Sequence, residues 1–254
     1  MKITINKNQA RADKIINIEM AEPFTAAIID PAWPYTEAPG KKDGTYVSQG
    51  ETPLSGFVQG GKWDAGYKRT ISISGLASLP VGKLVGGYVF LWTTMPFLPA
   101  ALLVMEEWGF EYITGMCWGK YNISRAIKNG GNGGYGGVGF WFLGNHELCL
   151  LGKKKGMPSI RTGESSLFLA EKTRHSIKPD NIHAIVEKYI PGPYLELFCR
   201  RDRPQWTVLG DDNPSDGQDM RESIPKRFGI PLSIPSDRFK QEVSRLRLTK
   251  QQIG

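Results

Sequence analysis

Thr25-Ala26-Ala27-Ile28-Ile29-Asp30-Pro31-Ala32-Trp33-Pro34-Tyr35 is the stretch on which the fold turns. Its first five residues show no in–out alternation, the pattern of a short strand buried on both faces of a parallel sheet. An acid, a proline and an aromatic follow at once. In open α/β sheets ligands bind beyond the carboxyl ends of strands, so the end of this strand is the first place to look for chemistry.

The rest of the chain repeats the theme. Tyr88-Val89-Phe90-Leu91-Trp92 reads as a second buried strand, and a helix is predicted from Pro96 to Trp108, with proline in the first turn and Gly109 as its C-cap. Phe110–Trp118 and His146–Leu151 read as strands three and four. Ile182, Ile185, Val186, Tyr189 and Ile190 recur at helical spacing, which predicts a helix from Pro179 to Ile190 ended by Pro191-Gly192-Pro193. Tyr194–Phe198 and Trp206–Leu209 complete six strands. Strands alternating with helices imply an α/β fold, a mostly parallel sheet with helices on both faces. Residues 34–70 and the glycine run at 129–139 read as long loops, a length usually tied to function or movement. Residues 1–220 are expected to form one domain, and 221–254 a basic tail or peripheral helix with a short amphipathic piece near 239–248.

Composition narrows the classes. The 254 residues are 40% hydrophobic and 22% charged, which fits a globular protein and excludes a wholly disordered one. Cys117, Cys149 and Cys199 lie far apart, in no CxxC or His-rich spacing, so neither a disulfide framework nor a structural zinc site is expected. A reducing cytoplasm suits them. No apolar run is long enough to span a membrane and the first residues lack a signal-peptide core, so no membrane partner is expected. The net charge is +7. Residues 1–119 carry −1, residues 120–203 carry +7, residues 204–220 carry −4 and residues 221–254 carry +5. A polyanion is the partner this suggests.

Asp30 is a carboxylate that ionises near 3.9 when unperturbed. With the Pro31 carbonyl beside it, two acceptors stand close together. They match the two hydrogens of an exocyclic amino group, and Trp33 and Tyr35 offer flat faces for a base. Residue chemistry alone leaves a solvated turn equally open.

Asp30-Pro31-Ala32-Trp33 resembles the Asp-Pro-Pro-Trp motif of the MT-A70 family of S-adenosylmethionine-dependent adenine N6-methyltransferases. Further landmarks follow in family order: Tyr67–Ser72, Leu79-Pro80-Val81, Phe90–Thr94, Trp108-Gly109-Phe110, Trp118 with Lys120, Gly139-Phe140-Trp141, Asn145–Leu148, Ser176–Asp180, Pro191–Phe198 with Arg200 and Arg201, and Trp206 with Leu209-Gly210. The likeness covers roughly 24–213 and is strongest to short prokaryotic and phage-type members. It implies a Rossmann-like methyltransferase fold in which the catalytic motif precedes the cofactor segment, a circularly permuted order. The absence of GxGxxG after the first strand agrees with that order.

The resemblance also implies roles. Asp30 and the Pro31 carbonyl grip the adenine amino group and localise its lone pair for direct in-line displacement, in which positioning supplies most of the catalysis. Trp33 and Tyr35 complete the catalytic motif and wall the base pocket, with Tyr67 and Glu147 as further base contacts. Lys178 touches the cofactor or the base. Asp30, Glu196, Phe198, Arg200, Asp211 and Asp212 complete the S-adenosyl-L-methionine site. Two departures stand out: Ala32 replaces the second proline, and Asp211-Asp212 stands where the family has an amide and a second polar residue.

The substrate expected is DNA, favoured over RNA because the chain resembles short members without the accessory regions of RNA-modifying relatives. Lys153-Lys154-Lys155, Arg161, Lys172, Arg174 and Arg200–Arg203 are the expected phosphate contacts beside the pocket, with the tail as a second candidate. A base in a duplex must be flipped out or presented on a single strand. Family precedent implies a homodimer and a bacterial or phage-infected cytoplasm. The alternatives are a catalytically silent partner subunit, which the retained Asp30 opposes, an RNA enzyme, and an enzyme acting on cytosine.

Overall fold

The computed structural model describes residues 23–34, 70–130, 133–134, 142, 144–171, 178–246, 248 and 253. Seven strands form one sheet. They are β1 (Phe24–Ile29), β2 (Val85–Thr93), β3 (Glu111–Lys120), β4 (His146–Lys153), β5 (Leu167–Ala170), β6 (Tyr194–Leu197) and β7 (Trp206–Leu209). Their order across the sheet is β5-β3-β4-β2-β1-β6-β7. β1 pairs in parallel with β2 and β6, β6 with β7, and β3 with β5, while β4 runs antiparallel to both of its neighbours. The mostly parallel, Rossmann-like α/β sheet is as expected. The sequence missed β5, a four-residue edge strand too short for a period to show.

The helices are α1 (Ile73–Ala77), α2 (Val81–Leu84), α3 (Leu98–Glu107), α4 (Ile123–Lys128), α5 (Asn181–Tyr189), α6 (Met220–Phe228) and α7 (Asp237–Arg245). The helix predicted from Pro96 becomes a 3₁₀ turn over Met95–Phe97 followed by α3. α5 buries Ile182 and Val186 on one face of the sheet, among Ala26, Ile28, Tyr194 and Trp206. α1, α3, α6 and α7 cover the other face, with Ala27, Ile29, Leu91, Leu195 and Leu197. Each strand of the centre thus feeds two cores in alternation, which is why β1 had to be apolar throughout.

The C-terminal segment is packed into that second core. Ile224, Phe239 and Val243 are fully or almost fully buried. Ser236 caps α7, and the Glu107 carboxylate at the end of α3 accepts from both its backbone N–H and its hydroxyl. Helix α6 opens at Met220, so the expected boundary at 220 falls inside an element.

The three cysteines are free. Among the described residues no helix is long and apolar enough to cross a membrane.

Candidate active site

The chain leaves β1 for β2 on one side and returns through β6 on the other. The carboxyl ends of β1 and β6 are therefore the crevice where such sheets bind ligands. Asp30 lies at the first of these ends, and its backbone N–H donates to the Leu197 carbonyl across the gap (3.3 Å). The Pro31 carbonyl accepts from Trp33 N at 2.9 Å, closing an i→i+2 turn and leaving its second lone pair for another donor.

Three charges from three remote segments converge here. Lys178, just before α5, donates to both Asp30 oxygens at 2.7 and 2.8 Å. Its Nζ also stands 3.1 Å from Glu147 at the start of β4 and 5.5 Å from the centre of the Trp92 ring. Lys120, the last residue of β3, meets the other Glu147 oxygen at 2.5 Å. The line Asp30–Lys178–Glu147–Lys120 is an alternating chain of charges, largely shielded from water. Because β4 runs against β2 and β3, its first residues reach the same edge as their last ones.

Burial raises Asp30 above the ordinary carboxylate value; Lys178 opposes that and Glu147 reinforces it. Burial alone would also raise Glu147, but Lys178 and Lys120 outweigh it and hold it at about 2. An ionised carboxylate has about four lone-pair sites, so Asp30 can hold Lys178 on one side and an amino group on another.

Past the ends of β6 and β7, Thr70, Ile71, Phe198, Asp211, Asp219 and Met220 line a small, open pocket. Phe198 holds φ at 64°, a left-handed backbone that a bulky residue rarely adopts. Gly210 has to be glycine: a Cβ there would stand 2.0 Å from the Cys199 carbonyl oxygen. That close approach seats the turn carrying Asp211 against the end of β6. Asp216 holds the same turn, accepting from Gly210 N at 3.0 Å and from the Ser223 hydroxyl. The donor set fits an adenosine-bearing cofactor. Ile71, Phe198 and Met220 offer apolar walls for a ring system, and Asp211 is a carboxylate able to accept from ribose hydroxyls.

Other expected residues are placed differently. Arg200 and Asp212 face each other at 3.6 Å, so two expected cofactor residues pair across the β6–β7 ends. Glu196 points to the face covered by α5. Its Oε2 stands 3.0 Å from His183 Nε2 and 3.7 Å from Arg203 Nε, close contacts that do not meet hydrogen-bond geometry. Among the described residues Glu196 does not line the pocket. The Trp33 ring, expected as an open face for a base, is 5% exposed and stacks on Phe97 at 5.3 Å, with its Nε1 donating to the Trp92 carbonyl. It anchors the turn in the core. Tyr35 and Tyr67 lie outside the described residues, as do Lys172 and Arg174.

The lysine cluster calls for a correction. Lys153 pairs with Tyr88 near the start of β2, at the sheet edge opposite Asp30. Lys153 donates to the Met157 carbonyl and Lys154 to the Trp108 carbonyl at the end of α3. Lys153–Lys155 are therefore not beside the pocket: in an antiparallel strand that begins at the site, the last residues are the farthest from it. Thr70, Ile71, Asp219, Met220 and Lys120 were missed as site residues. Thr70, Ile71 and Lys120 fall in quoted landmarks, whereas Asp219 and Met220 flank the start of a helix that the sequence did not reveal.

The family model described as MT-A70 matches residues 24–212. The chain is 32% identical over 130 residues to the N(6)-adenosine-methyltransferase MT-A70-like protein of Drosophila melanogaster, covering 49% of this chain and 20% of that protein. It is likewise 32% identical over 130 residues to the N(6)-adenosine-methyltransferase catalytic subunit METTL3 of Homo sapiens, covering 49% and 21%. The Type II methyltransferase M.MunI of a Mycoplasma species is 28% identical over 167 residues, covering 63% and 64%. The match thus spans about a fifth of the length of the first two relatives and nearly two thirds of the third.

Proposed function

The chain belongs to the MT-A70 family, and from that membership we propose that it transfers a methyl group to the N6 of adenine in DNA, in the manner of the prokaryotic and phage-type members. The observation that carries the reading is the seating of Asp30 at the mouth of the β1–β6 crevice, with Lys178 on both its oxygens. S-adenosyl-L-methionine is the methyl donor of the family, and when bound it supplies an electrophilic methyl group.

The residues of this chain bind and orient. Asp30 and the free lone pair of the Pro31 carbonyl accept the two amino hydrogens of the base, which turns the nitrogen lone pair out of the ring plane. Lys178 opposes the upward push of burial on Asp30 and is itself held by Glu147. The pocket walled by Ile71, Phe198 and Met220 takes the cofactor ring, with Asp211 toward the ribose and Arg200 held ready by Asp212. Ala32 replaces a proline whose side chain supplies neither acceptor, so both acceptors are retained. The Nζ contacts to both Asp30 oxygens support a role for Lys178 beside the target amino group.

DNA is supported by the resemblance to prokaryotic and phage-type members, with which the match to a protein named a Type II methyltransferase over 64% of its length agrees. RNA is the second reading, favoured by the higher identity to proteins named N(6)-adenosine-methyltransferases. The deciding experiment incubates the purified protein with labelled S-adenosyl-L-methionine and DNA or RNA, then identifies modified nucleosides by mass spectrometry. N6-methyladenine in DNA, absent in Asp30→Ala, is the result expected. Label in RNA alone moves the substrate assignment, label on cytosine moves the target, and cofactor binding without any transfer overturns the activity. Sedimentation of the same preparation tests the homodimer.

A further inference from the structure

With Lys153–Lys155 at the far edge, contact to the strand around the target base falls to cations at the site edge. Helix α4 begins three residues after Lys120, which touches Glu147 in the charge line to Asp30. It is short but fixed. Asn122 caps it by accepting from Arg125 N, Asn122 N donates to Gly133 O, the Glu171 carboxylate accepts from Ile123 N, and Ala126 is buried. On this anchored base, Ile123 and Ile127 sit at i and i+4, one face of a helix. They are 62% and 79% exposed. Two bare isoleucines on one turn are costly in water unless something covers them.

Charge says what covers them. Arg125 and Lys128 share the helix, and residues 120–146 contain three Lys or Arg and no Asp or Glu. An apolar pair flanked by cations, in a stretch empty of carboxylates, fits a strand that offers both bases and phosphates. Proteins that unstack bases use this combination of an apolar wedge and cations on the backbone. The helix spans about 8 Å, the scale of one or two nucleotides.

We propose that α4 grips the nucleic-acid strand flanking the target adenine, Ile123 and Ile127 packing against a neighbouring base while Arg125 and Lys128 meet its phosphates. This rests on the methyltransferase reading above for what the strand delivers, and on the helix itself for how it is held.

The test uses the full chain with two surface double variants, Ile123→Asn with Ile127→Asn and Arg125→Glu with Lys128→Glu. Calorimetric cofactor binding and thermal melting confirm that both are folded. Binding is read by fluorescence anisotropy on a single-stranded DNA oligonucleotide containing one adenine, on the same oligonucleotide with abasic sites beside the adenine, and on RNA of the same sequence. The isoleucine variant should bind intact DNA about tenfold more weakly, with an unchanged salt slope and no further loss on the abasic strand. The charge variant should flatten the slope of log affinity against log salt by roughly 1.4, the value for two phosphates on a single strand. The same signatures on RNA alone support the grip and reassign the polymer. Unchanged affinity and slope in both variants overturn the proposal, as does an isoleucine variant whose sedimentation changes while binding stays the same. If the variants show these signatures while the wild-type protein never transfers methyl, the grip stands and the activity falls; wild-type transfer with unchanged binding by both variants does the reverse.

Discussion

At the residue scale the proposed chemistry hangs on the charge of Asp30. Its burial favours the neutral acid, which is a weaker acceptor and carries an O–H donor of its own. The rate should therefore fall on acidification at a pH above the ordinary carboxylate value. Lys178→Met removes the opposing cation and should move that acid limb to higher pH. Glu147→Gln removes a like charge and should move it lower. Profiles of kcat/KM against pH check both, and shifts in the same direction contradict the assignment. Asp30→Asn keeps the shape but puts a donor where an acceptor is needed; the turnover expected is about 10²–10³-fold lower, with cofactor affinity largely retained by calorimetry. Glu147 also leaves a mark on stability. Its folded value is depressed from 4.5 to about 2, so its stabilisation is complete above about 4.5 and is lost as pH falls toward about 2. Urea midpoints should show Glu147→Gln weaker than wild type at neutral pH, with the gap closing across that window.

At the element scale the turn after β7 and the helices after it are part of the working structure. Gly210→Ala forces a Cβ against the Cys199 carbonyl, backbone that cannot swing aside. The variant should lose about 1–3 kcal/mol of stability and bind S-adenosyl-L-methionine more weakly, because the displaced turn carries Asp211. Phe239→Ala in α7 empties a site that is 3% exposed and should cost about 3–5 kcal/mol in denaturant unfolding. The sequence marked α5 and α3 by period and proline, and both were found within a few residues of their predicted ends. α6 was hidden because Pro225 lies inside it and Arg221, Glu222, Lys226 and Arg227 dilute its apolar face. It is held instead by its Asp219 cap and by Met220 and Ile224 in the core. Packing decided an element that local propensity left open.

At the scale of the whole molecule, strand direction sorts the positive charge. The excess over 120–203 divides between the site edge, with Lys120, Arg125, Lys128, Lys178 and Arg200, and the far edge, with Lys153–Lys155. Lys155→Glu should leave the affinity for DNA within about twofold of wild type, because an exposed charge more than a Debye length of ~8–10 Å away is largely screened; a large loss would place the strand on the opposite side of the sheet.

By itself the sequence determined the strands and helices whose period is visible and the buried strand that ends in Asp30-Pro31. These follow from local rules, spacing along the chain and the preferences of each residue type. Only the tertiary structure decided which of them meet. Lys178 reaches Asp30 across 148 positions, Glu147 joins them because β4 alone runs backward, and the same reversal carries Lys153–Lys155 away. It also turned Trp33 into the core and Glu196 toward His183. The reason is physical: a strand's period fixes what its side chains alternate between, but strand order and direction set the neighbours, and those emerge only when the sheet is assembled around its two cores.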